Sequence, residues 1–191
     1  NRPAWGARDR RIGNNPFIMA VPRKEGHVVV DIAMAQFSYG QMENKALRGE
    51  LLPVPGGYDE QGNLSCDPKE ISKTWRVLPI GYWKGSALAI VMDLVASVLA
   101  GGRSTYAIGK LGSDEYSLSQ MYIAIDAKRI AGEDYLAAAI NEVLDNLHDS
   151  VPVDPAQPVR YPGENSLAIR NANLANGIPV DDKVWEKIKS F

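Results

Sequence analysis

The sequence has little of what builds cross-linked or metal-bound folds. Cys66 is its only cysteine, which excludes a disulfide scaffold and zinc sites made of cysteine clusters. Only two histidines occur, His27 and His148, far apart in the chain, and no H-x-x-x-H or C-x-x-C pair is present. No metal site is expected. The G-x-G-x-x-G fingerprint of a Rossmann fold is missing. So are the P-loop G-x-x-x-x-G-K-[ST] and the G-x-S-x-G nucleophile elbow. Charge of one sign is lacking too: 21 Lys and Arg against 23 Asp and Glu leave a net charge of -2. With a pI near 5.7, a broad electrostatic grip on nucleic acid is excluded. The longest apolar run, Ala87 to Ala100, is interrupted by Asp93, and its 14 residues fall short of a bilayer span, which needs ~20. No secretion signal precedes the lone sequon Asn63-Leu64-Ser65, so the expectation is a cytoplasmic protein with no membrane or nucleic-acid partner.

What is present is an ordinary globular balance, 45% apolar and 23% charged over 191 residues, enough for a sizeable core. Residues 1–16 are polar and broken by Pro3, Gly6, Gly13 and Pro16, so they read as loop. Phe17 to Val21 is a short apolar run stopped by Pro22 and reads as a buried strand. In His27 to Ala33, three consecutive valines disfavour helix, so the two runs form an expected hairpin. Gln36 to Glu50 is compatible with helix, and Leu51 to Pro68 with a long loop. Asp67-Pro68 has the character of an N-cap followed by proline at the first helical position.

Lys84 to Ala100 is apolar at nearly every position, which predicts a central helix buried on most sides and ended by Gly101-Gly102. Leu118 to Ile125 reads as another buried strand. In Glu133 to His148, Leu136, Ile140, Val143, Leu144 and Leu147 share one helical face. Ser150 to Pro162 carries four prolines and reads as an extended connector, followed by helices over Asn165 to Asn176 and Val180 to Ser190. The fold class is mixed α and β. Residues 1–150 are expected to form one domain, and 151–191 an arm with helices that packs on another lobe or subunit.

Three places invite chemistry. Gly81-Tyr82-Trp83-Lys84-Gly85-Ser86 opens the apolar helix, where first-turn N–H groups, a lysine and glycines suit an anion and Trp83 suits a flat ring. The plain alternative is a glycine turn with Ser86 as N-cap and Trp83 as packing. Asp31 lies inside an apolar strand and calls for a partner, either a ligand hydroxyl or an internal donor. The turn Tyr161-Pro162-Gly163-Glu164-Asn165 is explained by cap chemistry alone. His148, at a helix C-terminus, reads as a cation that complements the helix dipole. The Gly56-to-Asn63 loop lacks calcium-loop spacing.

Seven segments taken together point further. They are WGARDRRIGNNPFIMAVP (Trp5 to Pro22), VVVDIAMAQFSYG (Val28 to Gly40), PGGYDEQGNLSCDP (Pro55 to Pro68), LPIGYWKGSALAIVMDLVASVLAGG (Leu78 to Gly102), SDEYSLSQMYIAID (Ser113 to Asp126), RYPGE (Arg160 to Glu164) and NGIPVDDKVWEKIK (Asn176 to Lys189). In this order they resemble the malate/L-lactate dehydrogenase-like oxidoreductases, which lack a Rossmann fold. Within the family, WKGS at Trp83 to Ser86 points to the branch that reduces a diketo sugar acid.

The resemblance implies a homodimeric oxidoreductase that reduces a 2-oxo acid with NADH, NADPH remaining open, through a non-Rossmann NADH-binding sheet. It assigns cofactor contacts to His27, Val28, Val29, Val30, Asp31, Ile32 and Ala33, to Trp83 and Lys84, and to Gly163, Glu164 and Asn165. Two departures stand out: His27 is unusual at the strand start, and Gly163-Glu164-Asn165 replaces a glycine-histidine-glutamate turn. The family's proton-donating histidine belongs to a Ser-His-Gly motif that this chain does not contain. The expectation is therefore a C-terminal portion, with no catalytic residue of its own, inactive without an N-terminal remainder. Related malate, lactate or ureidoglycolate dehydrogenases and a catalytically inactive dimerisation module are the competing expectations.

Overall fold

The computed structural model describes residues 1–112 and 116–191, so Ser113 to Glu115 of the SDEYSLSQMYIAID segment lie outside the described residues. The chain packs into two interleaved units. The first is Asn1–Ile18 with Asp31–Ala124, and the second is Met19–Val30 with Ile125–Phe191.

In the first unit, β1 (Arg2–Pro3) pairs antiparallel with β2 (Arg10–Ile12), so the stretch expected to be loop holds a short ladder. Helix α1 (Tyr39–Arg48) runs between Ser38, whose side chain accepts from the Gln41 N–H, and a left-handed Gly49. Within the expected loop 51–68, β5 (Gly57–Tyr58) pairs with β6 (Leu64–Ser65). Helix α2 (Pro68–Thr74) starts as its sequence dictates, with the Asp67 carboxylate accepting from the Lys69 N–H at 2.8 Å. These elements enclose the core of Ala35, Met42, Leu52, Ile71 and Val77. Arg2 is 1% exposed, and its Nε and one terminal nitrogen find no acceptor among the described residues. Burial pushes its pKa down to about 10.

Helix α3 (Trp83–Ala100) follows, then α4 (Thr105–Gly109). Two expectations fail here. Only Gly85, Ser86 and Ala89 of α3 are buried, so it is not a helix covered on most sides. It is 18 residues long and, by length and composition alone, apolar enough to cross a membrane, which the 14-residue run did not suggest. Leu118 to Ile125 forms no strand: among the described residues its ladder contact is a single bridge between Leu118 and Arg103, and it is largely exposed. Both errors share one cause. Apolar content states which surface favours burial, but another element must supply the cover.

The strands β3 (Phe17–Val21) and β4 (Val28–Ile32) pair as expected, and the chain passes along them between the units. β3 is exposed at four of its five positions rather than buried. The second unit adds α5 (Ala127–Ala131), α6 (Glu133–His148), the proline-bearing connector, α7 (Glu164–Asn176) and α8 (Asp182–Lys189). The boundaries of α6 agree with the spacing of its apolar residues, and Gly177 closes α7.

Candidate functional site

In the second unit, the turn before α7 is held against β4. The Val29 N–H donates to the Pro162 carbonyl at 2.9 Å. Gly163 has φ +93°, and a Cβ there would lie 3.1 Å from both the His27 carbonyl oxygen and the Val29 nitrogen. Backbone conformation and close approach thus both demand glycine at this position. His27 and Val29 are thereby brought to Gly163.

Residues that sequence reasoning did not assign to the site form a clasp on this turn. Glu164 accepts from the Tyr161 N–H at 3.0 Å, and one of its carboxylate oxygens lies 3.1 Å from His148 Nε2. Tyr161 is buried, its ring 5.9 Å from the His148 ring, and its hydroxyl accepts from Arg23 at 3.4 Å. Arg23 also reaches Asn141 Oδ1 at 3.4 Å, and its backbone N–H donates to His27 Nδ1 at 3.2 Å. His148 does end α6, as the helix-dipole reading holds, but it also pairs with Glu164. No local spacing foretells that pair, since the partners come from different helices. Beside the clasp, an apolar cleft of about 260 Å³ opens among Val21, Val28, Leu136, Ile140 and Val143.

In the first unit, Asp31, Ile32 and Ala33 lead into a segment that pairs with the approach to α3. The Ile80 N–H donates to Met34 O at 2.9 Å, and the Gln36 N–H to Leu78 O at 2.8 Å. Asp31 and Lys84 stand at the ends of these paired segments. Asp31 is exposed, so water solvates its carboxylate and the buried partner expected from the sequence is not required.

Gly81 and Tyr82 both take positive φ and turn the chain sharply into α3. Gly85 is forced by the same turn: a Cβ there would fall 2.1 Å from Ile80 O. Ser86 is not the N-cap. That position is Tyr82, and the Ser86 hydroxyl instead accepts from the Trp5 N–H at 3.0 Å. The first-turn amides are not all free, since the Lys84 N–H bonds to Gly81 O and the Gly85 N–H to Ile80 O. What this end of α3 presents to solvent is side-chain chemistry: the Trp83 ring, 62% exposed, with the Lys84 ammonium 6.0 Å from its centre.

Other motifs are structural. Asn14 Oδ1 accepts from Arg2 at 3.0 Å, and Asn15 donates to Ala89 O at 2.7 Å. In the β5–β6 turn, the Asn63 N–H bonded to Asp59 holds that carboxyl below the usual carboxylate range. Within the first unit, the Lys84 cation and the Trp83 indole face suit an anionic ligand with a planar ring; the second unit separately offers a strand backbone and a glycine turn.

Comparison with known proteins gives this chemistry a setting. A family model described as malate/L-lactate dehydrogenase matches residues 1–189. A 2,3-diketo-L-gulonate reductase of Mannheimia succiniciproducens is 43% identical over 189 residues, covering 99% of this chain and 57% of the relative. The reductase of the same name from Haemophilus influenzae is 42% identical over the same coverage. Among solved structures, a dehydrogenase from Sinorhizobium meliloti is similar with TM-score 0.74 and 27% identity, over 99% of this chain and 55% of that one. The chain thus spans a little over half the length of the curated relatives it matches.

Proposed function

The chain belongs to the malate/L-lactate dehydrogenase family, and on that premise we propose that it carries the nicotinamide-binding elements of an NADH-dependent 2-oxo acid reductase. The substrate proposed is 2,3-diketo-L-gulonate, reduced to 3-keto-L-gulonate, after the name borne by relatives above 40% identity. The structural observation that supports this reading is the clamping of Gly163 onto β4. Two stretches far apart in sequence, both assigned by family resemblance to one cofactor, meet where Gly163 packs on His27 and Val29, beside the Val29–Pro162 hydrogen bond.

The side chains present fit a dinucleotide. Lys84 offers a charge for the diphosphate, and exposed Trp83 a face for a flat ring. The resemblance assigns the remaining contacts to the stretch His27 to Ala33 and to Gly163, Glu164 and Asn165. When bound, the dihydronicotinamide supplies the hydride. The role of this chain is to bind and orient.

A general acid must also protonate the developing alkoxide. Neither His27 nor His148 stands in a Ser-His-Gly motif, so neither is assigned that role. The acid is assigned to an N-terminal remainder outside this chain. Residues 1–150 are taken as part of the cofactor domain, 151–191 as the arm packing on another lobe or subunit, and the whole as a cytoplasmic homodimer. A related malate, lactate or ureidoglycolate dehydrogenase would share all of this except the substrate.

The test is fluorescence titration of the 191-residue chain with NADH and, in parallel, NADPH. Lys84→Ala is expected to weaken binding roughly ten- to a hundredfold, equivalent to about 1.5–3 kcal/mol for a charge-assisted contact. An unchanged Kd removes Lys84 from the site. A folded chain with no nicotinamide affinity favours the dimerisation module instead.

A further inference from the structure

The turn into α3 holds a side chain where the backbone favours none. The Lys84 N–H donates to Gly81 O at 3.2 Å, so residues 81–84 form one tight turn with Tyr82 in its second position. Tyr82 has φ +58° and ψ −111°, close to the type II′ conformation that glycine supplies at no steric cost. Trp75 is also at positive φ, but its ψ of +26° is the left-handed helical value that side chains tolerate better. Tyr82 is the more strained of the two. Strain of this kind persists only where the surrounding structure over-determines it.

The contacts around Tyr82 supply that constraint. Its ring packs on the Trp5 ring, with centroids 5.2 Å apart and planes tilted by 58°. Trp5 is itself tied to the same helix end, because its N–H donates to the Ser86 hydroxyl at 3.0 Å. The base of the turn is held as well: the Gly81 N–H donates to Gln36 Oε1 at 3.1 Å, and the Gly85 N–H to Ile80 O at 2.8 Å. The turn is thus anchored at both ends and by a ring in its middle. The two residues that follow Tyr82 are Trp83 and Lys84, both exposed. Fixing Tyr82 fixes the backbone from which the indole and the ammonium project. Glycine would suit the dihedral angles but would leave the turn without its ring contact.

We propose that Tyr82 is a positioning residue: its ring, held by Trp5, keeps the strained turn in the one conformation that presents Trp83 and Lys84 to an anionic ligand with a planar ring. The proposal rests on the reading that this pair meets the nicotinamide cofactor, and it adds two residues, Trp5 and Tyr82, that act on the ligand through the pair. Ordering the turn before binding removes an entropic cost that would otherwise fall on the complex. A purely structural tyrosine would behave differently, since its loss would affect binding only as far as the chain unfolds.

Three substitutions separate strain, ring and hydroxyl. Tyr82→Gly and Tyr82→Ala both lose the ring, but only glycine relieves the backbone. Tyr82→Gly is therefore expected to melt at the higher temperature of the two, the reverse of the usual order of alanine and glycine. NADH affinity, titrated well below both melting points, should fall roughly three- to tenfold in Tyr82→Gly and in Trp5→Leu, and stay within about twofold in Tyr82→Phe. Because Tyr82 acts through Lys84, Lys84→Ala should weaken binding by a smaller factor in the Tyr82→Gly background than in the unsubstituted chain. Without any ligand, exchange of the Lys84 amide should quicken in Tyr82→Gly and not in Tyr82→Phe. The proposal is overturned if Tyr82→Ala is the more stable, or if Tyr82→Gly binds NADH as the unsubstituted chain does. It is overturned equally if Tyr82→Phe binds as weakly as Tyr82→Gly, or if the Tyr82 and Lys84 effects simply multiply. An unsubstituted chain with no NADH affinity overturns the cofactor reading and with it the ligand role of Tyr82; melting order and amide exchange then still show whether the ring pins the turn.

Discussion

Gly163 shows how one residue joins local backbone to site geometry. Its φ of +93° is strained for any side chain, and β4 leaves no space for a Cβ, since the His27 oxygen and Val29 nitrogen would each be 3.1 Å away. Gly163→Ala is therefore expected to destabilise the protein by about 1–3 kcal/mol and to push the turn off the strand. The checks are the denaturant midpoint and exchange of the Val29 amide, whose acceptor is Pro162 O. Unchanged stability with a still-protected Val29 would show that the turn is not pinned there. At this scale the sequence was readable only in part. Gly163 and Glu164 were legible as turn and cap. Arg23, Tyr161 and His148 were not, because their contacts join a hairpin, a turn and the end of a distant helix. For Trp83 the sequence left packing and a free ring both open, and the ring is exposed; the first-turn amides of α3, expected to be open, are engaged at two positions by the Ile80 and Gly81 carbonyls.

Element boundaries were the most legible feature wherever a cap decides them. Asp67-Pro68 starts α2 and Gly101 ends α3 as the sequence predicts, whereas the caps Ser38 and Gly49 shorten α1 from the expected Gln36 to Glu50. The cap of α2 is the most exacting test, since Asp67 accepts the Lys69 N–H and the helix delivers Ile71 to the core. Asp67→Ala should cost about 1 kcal/mol. In a chain of this size that is a fall in Tm of roughly 2–4 °C. A Tm equal to that of the unsubstituted chain would mean that α2 is held by packing alone. What capping and periodicity could not reveal was partnership. Among the described residues, Leu118 to Ile125 has strand composition without a strand beside it, and α3 has core composition without a core around most of it. Sheet formation is non-local, so β propensity becomes a strand only where a neighbour supplies hydrogen bonds.

On the scale of the whole molecule, the chemistry proposed for this chain is one half of a reaction. Reduction of a carbonyl needs a hydride donor and a proton donor together, and the residues assigned here serve only the first. Ser-His-Gly does not occur in the sequence, and neither His27 nor His148 stands in such a motif. A missing general acid typically lowers the rate by 10²–10⁴-fold. The 191-residue chain, given NADH and 2,3-diketo-L-gulonate at neutral pH, is therefore expected to bind cofactor while oxidising it at no more than about a hundredth of the rate seen once a polypeptide spanning the N-terminal remainder is added. The assay is loss of NADH absorbance, run with the chain alone and with the mixture. Turnover by the chain alone at the rate of the mixture would place the proton donor within these 191 residues. It would also reopen His27, the histidine at the start of the strand to which the cofactor is assigned.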